Sequence, residues 1–296
     1  MTTVRAALRA AAGELTSAGV EEAEREAAWL LAHLLGCSVG ELRLRSAWAL
    51  APEQLRSFEA MVARRARREP IQYILGTEEF LGLTFRVTPA VLIPRLDTET
   101  LVREAVARLA GRGPVRVADI GTGSGAIAVA VAHLLPEATV VAVDLSREAL
   151  AVAAENARLN RVADRVEFRQ GDLLTPLATE RYDAILSNPP YVGEAELPGL
   201  MPEVRDWEPH LALTPGPDAY EIYRRLFAEA PARLKPGGLL GVEVGIRQAP
   251  VVAALLRQAG FGPVTVHRDT AGVERAVLAA KQGEDGGDPH DQPDCD

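Results

Sequence analysis

The nitrogen of an amide or an exocyclic amino group is a poor nucleophile, because its lone pair is delocalised into a π-system. Its proton is also too weakly acidic to be removed first. A workable way to methylate such a nitrogen is to hold its two hydrogens on acceptor oxygens and aim the developing lone pair at a methyl sulfonium. Here the apolar run Ala184-Ile185-Leu186 leads into Asn188-Pro189-Pro190-Tyr191, and the Asn188 side-chain carbonyl and the Pro189 backbone carbonyl are the expected acceptors. Pro190 lacks an N–H and fixes its own φ, which confines Pro189 to an extended geometry. Tyr191 is expected to pack its ring on the planar acceptor group. Rate would then come from proximity, alignment and electrostatics more than from a basic side chain, so Asn188, Pro189 and Tyr191 form the expected catalytic set. Such a tetrad can also merely start a turn; its place after the fourth strand of a sheet whose first loop binds adenosine decides for the chemistry.

That first loop is Asp119-Ile120-Gly121-Thr122-Gly123-Ser124-Gly125, at the junction of an apolar strand and a helix. Glycines let the backbone turn tightly and approach a ligand, with helix N-terminal amides pointing at it. Asp144 follows Gly121 by twenty-three residues and ends the next strand, where its carboxylate can accept both hydroxyls of a ribose. In an open parallel sheet, ligands sit at the carboxyl ends of strands. Gly121, Gly123 and Ala126 also satisfy the dinucleotide pattern G-x-G-x-x-A, so the loop indicates an adenosine ligand without separating nicotinamide from S-adenosyl-L-methionine. Asp172 ends the third strand, where its carboxylate or the neighbouring backbone can meet an adenine, and Leu173 can flank the adenine face.

The elements that must position these groups follow from periodicity. Residues 1–70 carry apolar residues at helical spacing, among them Leu8, Leu15, Leu30, Leu31, Leu34, Phe58 and Val62, punctuated by Gly19 and Gly36. They form an expected helical substrate-docking domain. Residues 71–97 form an expected hairpin linker, because Ile71, Tyr73 and Leu75, then Leu83, Phe85 and Val87, alternate with period two. Residues 98–281 alternate helix and strand, with strands expected at 115–120, 139–143, 166–170, 182–187, 238–244, 264–268 and 275–279. The fold class is therefore α/β: a seven-stranded, mostly parallel, doubly wound sheet, whose final strand enters antiparallel, beside a small helical N-terminal domain. Residues 282–296 hold six acidic residues and almost nothing apolar, and read as a disordered acidic tail.

Bulk properties narrow the function classes. The net charge of −9 argues against a protein that mainly grips phosphate backbones, and direct nucleic-acid binding is not expected. Two cysteines, Cys37 and Cys295, make no disulfide framework or zinc spacing, and a reducing cytoplasm fits. No run of about 18 apolar residues indicates a membrane span. Arg64, Arg65, Arg67 and Arg68 read as the solvated end of a surface helix, with a docking surface for an acidic or RNA-bound partner as the alternative. Trp29 and Trp48 read as core or domain-interface residues. His33, His133 and His267 show no partners at ligand spacing, and His210, after Glu208-Pro209, reads as a loop histidine because the chemistry needs no base. Glu243, a carboxylate in an otherwise apolar strand, needs a partner and could hold a residue near the acceptor loop or the protein substrate.

Taken with Arg68-Glu69-Pro70-Ile71-Gln72-Tyr73, Ile93-Pro94-Arg95-Leu96-Asp97-Thr98-Glu99 and Glu208-Pro209, the two loops make the chain resemble the N5-glutamine methyltransferases that act on release factors. The resemblance runs to about residue 280. It implies a class I methyltransferase fold and S-adenosyl-L-methionine as cofactor. Its substrate would be the glutamine of the Gly-Gly-Gln loop in peptide-chain release factors. By this resemblance the cofactor contacts are Gly121, Thr122, Gly123, Ser124, Gly125, Asp144, Leu173 and Asn188, with Asp172 added from its strand position. The acceptor pocket is Asn188, Pro189, Pro190 and Tyr191, with Leu92 lining one side. Leu96 stands where the family usually has proline. An adenine amino group in DNA or RNA is the alternative acceptor, a ribosomal-protein glutamine a closer one, and a nucleotide-binding regulator or nicotinamide enzyme the reading from another class.

Overall fold

Strands buried on both faces are apolar at most positions, and those of this chain split their side chains between two cores. In the computed structural model, which describes residues 2–282, Val117 of β3 (Arg116–Ile120) enters one apolar cluster while Ala118 and Ile120 enter the other. The pattern repeats in β4 (Thr139–Asp144), with Val140 and Ala142 against Val141 and Val143. Preceding these strands are β1 (Thr77–Phe80) and β2 (Leu83–Arg86); following them are β5 (Val166–Gln170), β6 (Tyr182–Ser187), β7 (Leu234–Glu243), β8 (Phe261–Arg268) and β9 (Glu274–Lys281). The main sheet has seven strands in the order β5-β4-β3-β6-β7-β9-β8, and β9 alone runs antiparallel to its neighbours. The expected α/β architecture, including the reversed final strand, is what the chain adopts.

One face is covered by α6 (Leu96–Leu109), α7 (Ala126–Leu134) and α8 (Arg147–Leu159), the other by α11 (Glu221–Arg233) and α12 (Ala249–Gln258). Winding outward from β3 through β4 to β5 and then returning to β6 puts the reversal of strand order between β3 and β6. The pair Ile120↔Ser187 ends that ladder, so the glycine loop and the Asn188 tetrad leave the sheet side by side. This is the crevice in which an open α/β sheet binds ligands.

Five helices precede β1 and β2: α1 (Val4–Ser17), α2 (Ala23–Leu35), α3 (Val39–Leu44), α4 (Pro52–Ala66) and α5 (Ile71–Leu75). They pack around Leu15, Leu30, Leu31 and Phe58. The expected extended reading of Ile71, Tyr73 and Leu75 is corrected: these residues form the single helical turn α5, which starts at Pro70 and stops at Gly76 in the left-handed conformation, φ +78°. So short a helix buries Ile71, Tyr73 and Ile74, a pattern that mimics alternation. The true hairpin is β1–β2, turning at Leu81 and Gly82, both at positive φ.

The arginine cluster is only in part a solvated helix end: Arg67 is exposed, whereas Arg64, Arg65 and Arg68 are engaged in ion pairs. Arg65 is buried and pairs with Glu26 of α2 and, at 2.9 Å, with Glu203 of the short helix α9 (Pro202–Arg205). Arg68 also grips Glu203, at 2.6 and 2.8 Å, while Arg64 closes on Glu69. These ion pairs fasten the helical block to the segment that follows the Asn188 tetrad. Trp29 and Trp48 are not core residues: they are 39% and 62% exposed, each beneath an arginine guanidinium. The acidic stretch expected at 282–296 lies outside the described residues apart from Gln282. Among the described residues no helix is long and apolar enough to cross a membrane.

Asn156 of α8, fully buried, sews the hairpin to the sheet. Its Oδ1 accepts from the Arg86 amide at 2.6 Å, and its Nδ2 donates to the carbonyls of Arg86 at 2.9 Å and Ser124 at 2.8 Å. An alanine would strand the buried Ser124 carbonyl and the two part-buried backbone groups of Arg86, a buried group left unpaired costing about 1–3 kcal/mol and the part-buried ones less. Asn156→Ala is therefore expected to destabilise the protein by about 3 kcal/mol in urea-induced unfolding.

Candidate active site

Backbone curvature shapes the glycine loop. Gly121, Gly123 and Gly125 have φ of +70°, +53° and +82°, which side-chain-bearing residues avoid. A Cβ on Gly125 would lie 3.0 Å from Cβ of Ala153, so this glycine lets α8 pack closely, whereas at Gly121 and Gly123 it would meet open space. These two positions therefore leave a cradle on the ligand side. Asp144 rests across the mouth of the loop, accepting from the Gly123 amide at 2.8 Å and the Ser146 amide at 2.9 Å. Each oxygen keeps capacity for one more donor, and burial raises the Asp144 carboxyl above its ordinary pKa.

Behind the loop, Asp119 is fully buried. Its Oδ2 accepts from the Thr122 hydroxyl at 2.6 Å and the Ala128 amide at 3.0 Å, while Oδ1 has no partner. Burial outweighs both bonds and pushes this carboxyl up to about 7. The sign follows from proton binding. Between the ordinary carboxylate range and 7 the folded state holds a proton that the unfolded state has released, so stability falls as pH rises through that window and is flat above it. Asp119→Asn keeps a neutral group there. It should match the wild type near pH 4 and exceed it at pH 8 by a few kcal/mol, since each tenfold change in proton affinity is worth about 1.4 kcal/mol. Melting of both proteins across pH 4–8 measures the difference; a constant gap would refute it.

The tetrad leaves β6 beside this loop. The Ser187 hydroxyl donates to the Ile120 carbonyl at 2.7 Å, locking the two strand ends together. Asn188 is half-buried, and its Nδ2 donates to Oγ1 of Thr98 at 3.3 Å, which turns Oδ1 the other way. Thr98 in turn donates to Oε2 of Glu243, and the Tyr191 hydroxyl donates to Oε1 of Glu243 at 3.2 Å. Glu243 is 1% exposed, and burial, against the pull of the Thr98 and Tyr191 bonds, raises its carboxyl to about 7.

A cavity of about 510 Å³ joins these parts. Gly121–Ser124, Asp144, Asp172, Leu173, Asn188, Pro189, Pro190 and Leu92 all line it; Gly125 sits just behind, at the start of α7. Tyr191 is placed differently from the rest. It is half-buried behind the wall, with its hydroxyl on Glu243 and its carbonyl held by Gln248. The Asp172 carboxylate is engaged by Arg225 across the cleft, which leaves the backbone at 172–173 as the group free to meet an adenine. Leu173 sits at φ +46° and shares its side chain between cavity and core. Glycine at 171 is obligatory, since a Cβ would come 2.3 Å from Cγ of Pro176.

Several contributors escaped notice in the sequence. Arg95 lines the cavity and is ion-paired with the buried Glu208, so two segments singled out separately, Ile93–Glu99 and Glu208-Pro209, meet here. Thr98, inside that first segment, was not assigned a contact, and Asn156 gave no signal at all. Thr214 and Pro215, from the stretch after α10 (His210–Leu213), complete the rim. His210 is exposed.

An open cradle at two glycines, a carboxylate with spare acceptor capacity across from them, and a free backbone edge at 172–173 fit an adenosyl ligand. Comparisons with known proteins agree with this arrangement. Residues 6–76 match the PrmC N-terminal domain family and residues 96–199 the methyltransferase small domain family. The release factor glutamine methyltransferase of Geobacter sulfurreducens is 46% identical over 275 residues, spanning 93% of this chain and 95% of that protein. That of Moorella thermoacetica is 45% identical over 283 residues, spanning 95% and 100%. A methyltransferase crystal structure from Pyrococcus furiosus aligns with a TM-score of 0.52 at 20% identity, over 74% of this chain and 98% of that one, a likeness of fold alone.

Proposed function

The chain belongs to the release factor glutamine methyltransferase family, and from that membership we propose that it methylates the side-chain amide nitrogen (N5) of the glutamine in the Gly-Gly-Gln loop of peptide-chain release factors. S-adenosyl-L-methionine is the methyl donor; when bound, it supplies an electrophilic methyl carbon on a sulfonium. The residues that would hold it are Gly121, Thr122, Gly123, Ser124 and Gly125 of the loop, Asp144, the backbone at Asp172 and Leu173, and Asn188.

The observation that carries the reading is the direction of the Asn188 side chain. Its Nδ2 is spent on Thr98, so Oδ1 is the end available to accept an N–H from a substrate amide. The Pro189 carbonyl is the second acceptor, and Pro190 holds that carbonyl in an extended geometry. Leu92 and the two prolines form an apolar slot for a planar group. Tyr191 contributes by bracing the tetrad from behind. No general base is required, because the amide loses its proton only as its nitrogen becomes cationic. Catalysis therefore rests on orientation and preorganised dipoles.

Incubation with labelled S-adenosyl-L-methionine, purified release factors and RNA tests the reading. Label on the glutamine amide nitrogen of a release factor is the expected result. Label appearing only in RNA would assign the same tetrad to an adenine amino group instead.

A further inference from the structure

A carboxamide has two ends of opposite polarity, and only one of them can accept a substrate N–H. Resting on the reading above, we propose that Thr98 and Glu243 are positioning residues that set which end of Asn188 faces the acceptor. Three groups stand in series: Asn188 Nδ2 donates to Thr98 Oγ1, Thr98 donates to Glu243 Oε2, and Tyr191 donates to Glu243 Oε1. A hydroxyl has one hydrogen to give. While the ionised carboxylate takes the Thr98 hydrogen, Thr98 can only accept from Asn188, and Oδ1 is forced toward the cavity. A proton on Oε2 reverses the series: Glu243 donates to Thr98, the Thr98 hydrogen swings toward Asn188, and the carboxamide presents its NH₂ end to the substrate amide.

This gives the buried carboxylate a consequence beyond packing. Glu243 belongs to a strand whose other inward groups are apolar, and it reaches two residues from different elements, α6 and the loop after β6. The groups around it are few. Tyr223 of α11 donates to its main-chain carbonyl at 2.7 Å. Arg275 of β9 draws the proton off, and Asp97 of α6, itself paired with Arg275 at 2.9 Å, favours it. With the carboxyl raised to about 7 by burial, the polarity of the series changes near neutrality.

The substitutions separate orientation from mere support. Thr98→Val removes the hydroxyl while keeping the shape, and is expected to lower kcat on the order of 10–10²-fold, the scale of a misoriented catalytic group. The affinity for S-adenosyl-L-methionine should change far less than kcat, since Asn188 is one of many residues that would hold the cofactor. Thr98→Ser, which retains the hydroxyl, should recover most of the loss. Adding Asn188→Ala to Thr98→Val should cost no more than Asn188→Ala alone, because both act through one group. The wild-type kcat should fall on the acid side with a midpoint near 7, and Glu243→Gln, which has no proton to gain there, should lose that limb.

One measurement needs no turnover. The Asn188 side-chain NH₂ resonances, identified by their loss in Asn188→Ala, should titrate with the same midpoint in the wild type and stay flat in Thr98→Val. Equal losses in Thr98→Ser and Thr98→Val, or wild-type resonances that ignore pH, would overturn the proposal. A wild type that leaves release factors unlabelled but shows the titration would defeat the substrate assignment and uphold the switch.

Discussion

Asn188→Ala lowers kcat for methylation of a release factor by on the order of 10²–10³, the range lost when one preorganised hydrogen-bond partner is removed from a reacting group. The fold persists, because Asn188 is half-buried at a strand end and its one side-chain bond, to Thr98, is long at 3.3 Å. What disappears is the oxygen that holds a substrate N–H. The loss should fall on kcat rather than on KM for the protein substrate, since a docked release factor touches far more than this one atom. Asn188→Asp offers an oxygen at the same place but cannot donate to Thr98, so it should also be impaired. Single-turnover labelling, with circular dichroism as a control for folding, decides the matter; turnover within a few-fold of wild type would remove Asn188 from the acceptor site.

Arg65→Met costs about 3–5 kcal/mol of stability, the penalty for breaking a buried ion pair by deleting one partner. Glu26 is then left with no cation inside the helical block, whereas Glu203 keeps Arg68. Arg65 is 5% exposed, so solvent cannot make good the loss. Because Arg65 ties α4 to α9, loosening it should also free the helical block from the segment beyond the Asn188 tetrad. The expected picture is a lower denaturation midpoint, a broadened or split transition, and weaker methylation of intact release factor with little change in S-adenosyl-L-methionine affinity. Removing residues 1–70 outright deletes both arginines and leaves Glu203 unpaired, which makes the point substitution the cleaner probe of the block. An unchanged midpoint in urea would show that the Arg65 pairs are energetically idle.

Short-range chemistry was legible from residue order. The glycine loop, Asp144 and the Asn188 tetrad each declare themselves within a few residues, because tight turns demand glycine and a proline pair has few conformations. The central strands of the sheet were readable because burial on both faces favours nearly continuous apolar runs, and the final strand could be placed in reverse because no helix precedes it. Reading failed where the period was too short to discriminate. Ile71, Tyr73 and Leu75 satisfy both an alternating strand and one helical turn, and the decision came from Pro70 and Gly76 at its two ends.

Sequence alone thus determined the class of sheet and the places of the glycine loop and the Asn188 tetrad, since each is a local property of backbone and side-chain type. Tertiary structure alone decided the partners of charged and polar groups that lie far apart in the chain. Within the arginine run that looked like a surface patch, Arg65 is buried against Glu26 and Glu203, 39 and 138 residues away. Glu243 finds Thr98 at a separation of 145 residues, and Asn156 finds Arg86 at 70. The physical reason is common to all three. A buried charge or amide must be paired, but which partner satisfies it depends on where the sheet order and helix packing deliver that partner, and residue types along the chain carry no record of that meeting.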